Sequence, residues 1–172
     1  YLMCKSMLFQ MCDVGIINRD DPHWKEITEH ATCDIKTYGK EQADLTATNM
    51  EHVNQAGNLS MKFHASGLLE GDVIVGLPGM FNIYNAMCAA CVGALLKLPQ
   101  EIILHALEHV EVRGRVENIP TGRGFSVLID FAHNGVSTES VLKTLRGYNP
   151  SRIIAIFGCG GNRSKLRRYE MG

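Results

Sequence analysis

Asn82 and Asn85 stand three residues apart, a spacing that puts two side chains on one face of a helix. A carboxamide carries both donors and acceptors, so such a pair can read an adenine edge, or else cap a helix and hold a turn. Arg115 follows Gly114. Its guanidinium suits phosphate oxygens bidentately, or a surface salt bridge. Asp130 closes the apolar run of residues 125–129, and His133 lies just beyond it. Ligands of α/β folds bind outside the carboxyl ends of strands, where a carboxylate can accept from ribose hydroxyls.

Other constellations carry less. Gly158-Cys159-Gly160-Gly161 follows an apolar run but lacks the third glycine of a dinucleotide fingerprint, so only close backbone approach or a sharp turn is read from it. Cys88 and Cys91 lie in an Ala-rich apolar stretch with no second pair, which favours packing over metal or redox use. His105 and His109 are four apart and could pair on a metal, but no third ligand stands out. The 6 cysteines show no disulfide-framework spacing, which fits a reducing, cytoplasmic setting.

These residues need elements to hold them. Residues 2–12 read as a short helix. Val14–Asn18 and Ile35–Tyr38 read as strands, and residues 45–77 alternate as antiparallel strands with turns at 55–58 and 69–72. Met80–Leu98 reads as a helix, and Pro99 opens the next, to about His109. Val116–Ile119 and Phe125–Ile129 read as strands around the turn 120–124. Ser137–Arg146 reads as a helix capped by Ser137 or Thr138. Arg152–Phe157 reads as a buried parallel strand. The fold class is α/β, and the strand–helix–strand unit of residues 125–157 opens a doubly wound domain. A boundary near Gly114 divides residues 1–114 from 115–172.

The chain has 172 residues and a net charge of −1, enough for one or two domains with a core. The charge is uneven. Residues 1–112 hold 7 Lys/Arg against 14 Asp/Glu, giving −7; residues 113–172 hold 10 against 4, giving +6. A basic half suits an anionic partner, or is a solvated face. No apolar run is long enough for a membrane span. The chain opens on Tyr1 without a leader and stops at Gly172; both ends read as cut.

Order and spacing add what no single motif carries. LPGMFNIYN (residues 77–85), RGRVE (113–117), IDFAH (129–133) and IFGCGGNR (156–163) together resemble the Mur ligase family. The likeness is to the MurE-type branch, which adds the third amino acid to the peptidoglycan stem peptide. The resemblance implies the latter half of a central ATP-binding domain over residues 1–114, and the start of a Rossmann-like C-terminal domain over residues 115–172. It implies a cytoplasmic, monomeric ligase using ATP and Mg2+. The carboxylate of UDP-N-acetylmuramoyl-L-alanyl-D-glutamate becomes an acyl phosphate, which the amine of a diamino acid, diaminopimelate or lysine, then attacks. Neither nucleic acid nor membrane is implied as a partner.

Residue by residue, the resemblance assigns Asn82 and Asn85 to adenine, Arg115 to ATP phosphates with Glu117 orienting it, and Asp130 to the ribose. His133 joins the nucleotide-binding set but not as a general base. Arg163 is assigned to the carboxylate of the incoming amino acid. Lys5, in YLMCKSMLF, matches a lysine that is carbamylated and helps hold magnesium. INRDDP (Ile17–Pro22) takes a structural role, with Asn18 and Asp20 supporting the site from behind. The chain departs from the common pattern at His133-Asn134-Gly135-Val136, where many members read H-T-P-D, and at Asn162 and Ser164, where acidic residues are usual. No G-x-x-x-x-G-K-[ST] loop occurs in the sequence, so these residues alone are expected neither to hydrolyse ATP nor to form the amide. A folylpolyglutamate synthase-like ligase and a non-catalytic binding module of the same fold are the alternatives.

Overall fold

The computed structural model describes residues 1–119, 121–159 and 165–171, with the backbone alone at 165–167. The chain opens with helix α1 (Leu2–Ser6), which runs into a 3₁₀ turn (Met7–Gln10). The single helix expected over residues 2–12 is thus broken. Phe9 is the one buried side chain of these two elements, and helices draw most of their stability from a covered apolar face.

Strand β1 (Val14–Asn18) leads through a short helix α2 (Trp24–Thr28) to β2 (Asp34–Gly39). β1 and β2 pair in parallel, and β2 pairs in parallel with β3 (Leu45–Gln55). β4 (Asn58–Gly67) and β5 (Gly71–Val75) then return antiparallel. The five strands therefore lie in sequence order in one mixed sheet. The tip of the β3–β4 hairpin holds Ala56 at φ 52 and Gly57 at φ 94, the positive pair that a two-residue hairpin loop demands.

Leu45, Ala47, Met61, Phe63, Ala65, Val73 and Val75 alternate along β3–β5 and are almost completely removed from solvent. Helix α3 (Met80–Leu95) lays Ile83, Ala86, Met87, Ala90 and Cys91 over them, residues at three- and four-residue spacing. Helix α4 (Gln100–Glu108) adds Ile103 and Leu107. Burial of Phe63 alone contributes about 1.5–3 kcal/mol. α3 stops at Leu95 rather than Leu98. Lys97 N–H donates to Ala94 O at 2.9 Å and Leu98 N–H to Gly93 O at 3.0 Å, with Lys97 at φ 59. That is a Schellman stop built on a lysine where glycine is usual.

Strands β6 (Glu117–Ile119) and β7 (Val127–Ile129) form a separate antiparallel pair. Each is shorter than expected; Val116 sits at φ 48, outside the extended region. The pair docks on the β3–β4 tip: Ser126 Oγ donates to Gly57 O at 2.9 Å and Asn118 Nδ2 to Asn58 Oδ1 at 2.7 Å. Helix α5 (Gly135–Arg146) follows. Its cap is Asn134, not Ser137 or Thr138. Asn134 Oδ1 accepts from Ser137 N–H at 2.8 Å, and Ser137 Oγ accepts from Asn134 N–H at 3.3 Å, a reciprocal capping box. Ser137 thus serves at the third helical position. Past α5, the Tyr148 hydroxyl donates to Ser60 O at 2.7 Å, and its ring meets His52 edge-on at 4.8 Å.

Residues 152–157 form no strand. Ile154 and Ile156 are 69% and 96% exposed, and the segment lines a cavity of about 400 Å³ with Leu128, Thr138 and Leu142. A buried parallel strand needs ladder partners on its edges, and among the described residues none pairs with it. Helix α6 (Lys165–Met171) completes the described elements.

Candidate functional site

Gly79, just before α3, is held at φ 107; a Cβ there would stand 2.7 Å from the Phe81 ring and 3.1 Å from Thr144 Cγ2 of α5. Only glycine allows that approach. One turn on, Asn82 is 6% exposed and donates from Nδ2 to Pro78 O at 2.8 Å. Its Oδ1 accepts from Asn85 Nδ2 at 3.1 Å. The two amides therefore divide the work. Asn82 ties down the turn before the helix, and exposed Asn85 keeps its carbonyl oxygen and second N–H for a ligand edge.

The second group gathers at the end of β7. Asp130 Oδ2 accepts from Val116 N–H at 2.9 Å, and Oδ1 from Ala132 N–H at 2.7 Å. The carboxylate thus staples the strand end to the 113–116 turn and keeps spare lone pairs, since each oxygen can accept twice. Arg115 is exposed, its guanidinium 5.4 Å from the Phe131 ring centroid. Phe131 in turn lies 5.3 Å from the His133 ring. His133 Nδ1 sits 3.1 Å from Phe131 O; a proton on Nδ1 satisfies that carbonyl and leaves Nε2 as the acceptor. Glu117 does not orient the Arg115 side chain: its Oε2 accepts from Gly114 N–H at 2.7 Å and so fixes the backbone before Arg115.

Arg115, Asp130 and His133 are thus brought together through Phe131, and Asn82 and Asn85 are brought together with each other. α5 touches both groups, starting beside His133 and reaching Gly79 with Thr144. Between α5 and the start of α3 lies an open groove of about 500 Å³, lined by Met80, Phe81, Val136 and Lys143 among others. Lys5 stands apart on α1, exposed, with its ammonium 5.4 Å from the Tyr1 ring. Arg163 lies outside the described residues.

Asn18 and Asp20 serve the frame. Asn18 Oδ1 accepts from Asp20 N–H at 3.0 Å. Asp20 Oδ2 accepts from Lys40 N–H at 3.0 Å and from the Tyr84 hydroxyl at 2.8 Å, which fastens α3 to the end of β1. Burial, and then Asp20, push the Tyr84 phenol up to about 12. Sequence reasoning missed Tyr84 and Phe131. The available signals were a tyrosine between two site asparagines, and an aromatic directly after the strand-end aspartate. Cys91 is buried, and burial raises its thiol to about 12, which suits packing rather than reactivity. The His105 and His109 rings stack at 4.2 Å. Among the described residues no group of three or more His, Cys, Asp or Glu is placed to hold a metal. No helix among them is long and apolar enough to cross a membrane.

Residues 1–93 match the Mur ligase middle domain, and residues 114–172 match the Mur ligase glutamate ligase domain. The UDP-N-acetylmuramoyl-L-alanyl-D-glutamate–2,6-diaminopimelate ligase 2 of Clostridium acetobutylicum is 41% identical over 172 residues, covering 98% of this chain and 35% of that protein. The diaminopimelate ligase of Caldanaerobacter subterraneus is 34% identical over 174 residues, covering 100% of this chain and 36% of its own length. A solved structure of such a 2,6-diaminopimelate ligase superposes with a TM-score of 0.70 at 27% identity, covering 99% of this chain and 36% of that one. The chain spans about a third of the length of the curated relatives it matches. With both halves matched, the chain belongs to the Mur ligase family.

Proposed function

We propose that this chain is the part of an ATP-dependent amide ligase that carries the nucleotide-facing residues on either side of a domain boundary near Gly114. The whole enzyme adds the third residue to UDP-N-acetylmuramoyl-L-alanyl-D-glutamate, in the cytoplasm and as a monomer. The names of the relatives favour diaminopimelate as that residue. One observation carries the reading. Arg115 is exposed and backed by an aromatic ring, and no carboxylate pairs with it among the described residues. A guanidinium so placed is available to the oxygens of a phosphate, which it can grip bidentately.

ATP supplies the phosphoryl group that activates the carboxylate. Catalysis of this class rests on positioning and on neutralising charge that spreads over phosphate oxygens. Arg115 provides the charge and the orientation. Asp130, half-buried at the strand end, has lone pairs left for ribose hydroxyls, and His133 offers Nε2 beside it. Asn85 presents its amide to the adenine, on a helix start that Asn82 holds. Arg163 is assigned to the carboxylate of the incoming amino acid. The described residues do not by themselves make a magnesium site, since no cluster of acids surrounds Lys5. Lys5 is the candidate for carbamylation.

The test is phosphate release by the whole ligase. It should require ATP, the UDP-linked dipeptide and a diamino acid together, and Arg115→Ala should cut it at least tenfold. These 172 residues alone should release none. Release that ignores the dipeptide, or that survives Arg115→Ala unchanged, overturns the reading.

A further inference from the structure

Arg115 projects from a backbone pinned on both sides. Val116 sits at φ 48, where a β-branched residue is a steric outlier. Burial to 3% exposure and the Asp130 carboxylate on its N–H hold it there. On the other side Gly114, at φ 70, donates its N–H to Glu117 Oε2 at 2.7 Å. Arg115 N–H itself donates to Val112 O at 3.0 Å. The main chain is fixed, but an exposed arginine keeps several rotatable bonds and loses their freedom when it grips an anion. The aromatic group beside the guanidinium is Phe131. Phe131 is 63% exposed, so burial does not explain it, and its ring centroid lies 5.4 Å from the guanidinium.

We infer that Phe131 is a positioning residue whose ring holds the Arg115 guanidinium in the orientation that meets phosphate. The inference rests on the reading of Arg115 as the phosphate-binding arginine. Stacking a guanidinium on an aromatic face leaves its in-plane N–H groups directed outward, where a phosphate can take two of them. The ring thus organises the cation before the nucleotide arrives, and an arginine already ordered loses less on binding.

A double-mutant cycle in the whole ligase tests this, with magnesium–ATP as the probe and saturating dipeptide and amine. Phe131→Leu should raise KM for ATP about two- to fivefold, the range of an exposed cation–π contact, with kcat within about twofold. Phe131→Trp, with the strongest ring for a cation, should restore the KM. In an Arg115→Ala background, Phe131→Leu should change nothing further. If Arg115→Ala leaves KM and kcat for ATP unchanged, the phosphate reading itself fails. If Arg115→Ala weakens ATP use while Phe131→Leu does nothing, or does equal harm with and without Arg115, the positioning role fails and the phosphate reading stands.

Discussion

Asp130→Ala separates what this carboxylate does for the fold from what it does for a ligand. The side chain accepts two main-chain N–H bonds, from Val116 at 2.9 Å and Ala132 at 2.7 Å. A hydrogen bond to a charged acceptor contributes about 1.5–3 kcal/mol, and an orphaned buried donor costs about 1–3 kcal/mol. Val116 is 3% exposed, so its N–H has little water to turn to; Asp130 is half-buried, so solvent screening trims its share. The loss should be about 2–4 kcal/mol. In a chain of 172 residues that lowers Tm by about 5–15 °C, at roughly 2–4 °C per kcal/mol. Asp130→Asn keeps one acceptor oxygen and should lose about half as much. Urea unfolding followed by circular dichroism measures it, with the midpoint moving at unchanged slope. An unfolding free energy for Asp130→Ala within about 0.5 kcal/mol of the parent would refute the staple, and with it the account of how the Arg115 turn is held.

Two further outcomes follow from single residues. Lys97→Gly places glycine at the left-handed stop of α3, where lysine now sits at φ 59; it should stabilise by about 0.5–1 kcal/mol, read as a higher urea midpoint. Burial pushes the Asp44 carboxyl up, but hydrogen bonds from the Thr37 hydroxyl and N–H, both at 2.7 Å, outweigh it, so the group ends below its ordinary value. A depressed carboxyl stabilises above the unfolded value of about 3.9 and loses that contribution as pH falls through the lower folded value. Acid unfolding of Asp44→Asn should therefore depend less on pH below about 4, and an unaltered acid limb would count against the Thr37 contacts.

The sheet and its covering helix were legible because their signal is local and periodic. β1 falls on Val14–Asn18 as read, and the start of α3 at Met80 follows from Leu77-Pro78-Gly79. What escaped depends on partners or on unusual backbone. Residues 152–157 carry the apolar run of a buried strand, but a run does not supply a ladder. Ser137 and Thr138 read as caps because hydroxyl residues are good ones; Asn134 is as good and stands three residues before Ser137, and only geometry shows that Asn134 and Ser137 both take part. Lys97 and Val116 adopt left-handed backbone that neither side chain advertises. In the candidate site, residue type left Arg115 open between a phosphate and a surface salt bridge, and only the motif order singled it out. The Phe131 contact was not legible, since an aromatic in an apolar segment reads first as core.

The docking of β6–β7 and Tyr148 on the β3–β4 hairpin has an evolutionary consequence. Among the described residues, three of its five hydrogen bonds end on main-chain carbonyls, those of Gly57, accepting twice, and Ser60. Carbonyls persist whatever side chain they carry, so a change of side chain at Ser60 leaves its bond of this joint in place. Hairpin length cannot drift in the same way. A single inserted residue turns every following side chain to the opposite face, and it moves those carbonyls away from Ser126 and Tyr148. Homologues should thus vary more at the exposed positions of this hairpin than in its number of residues.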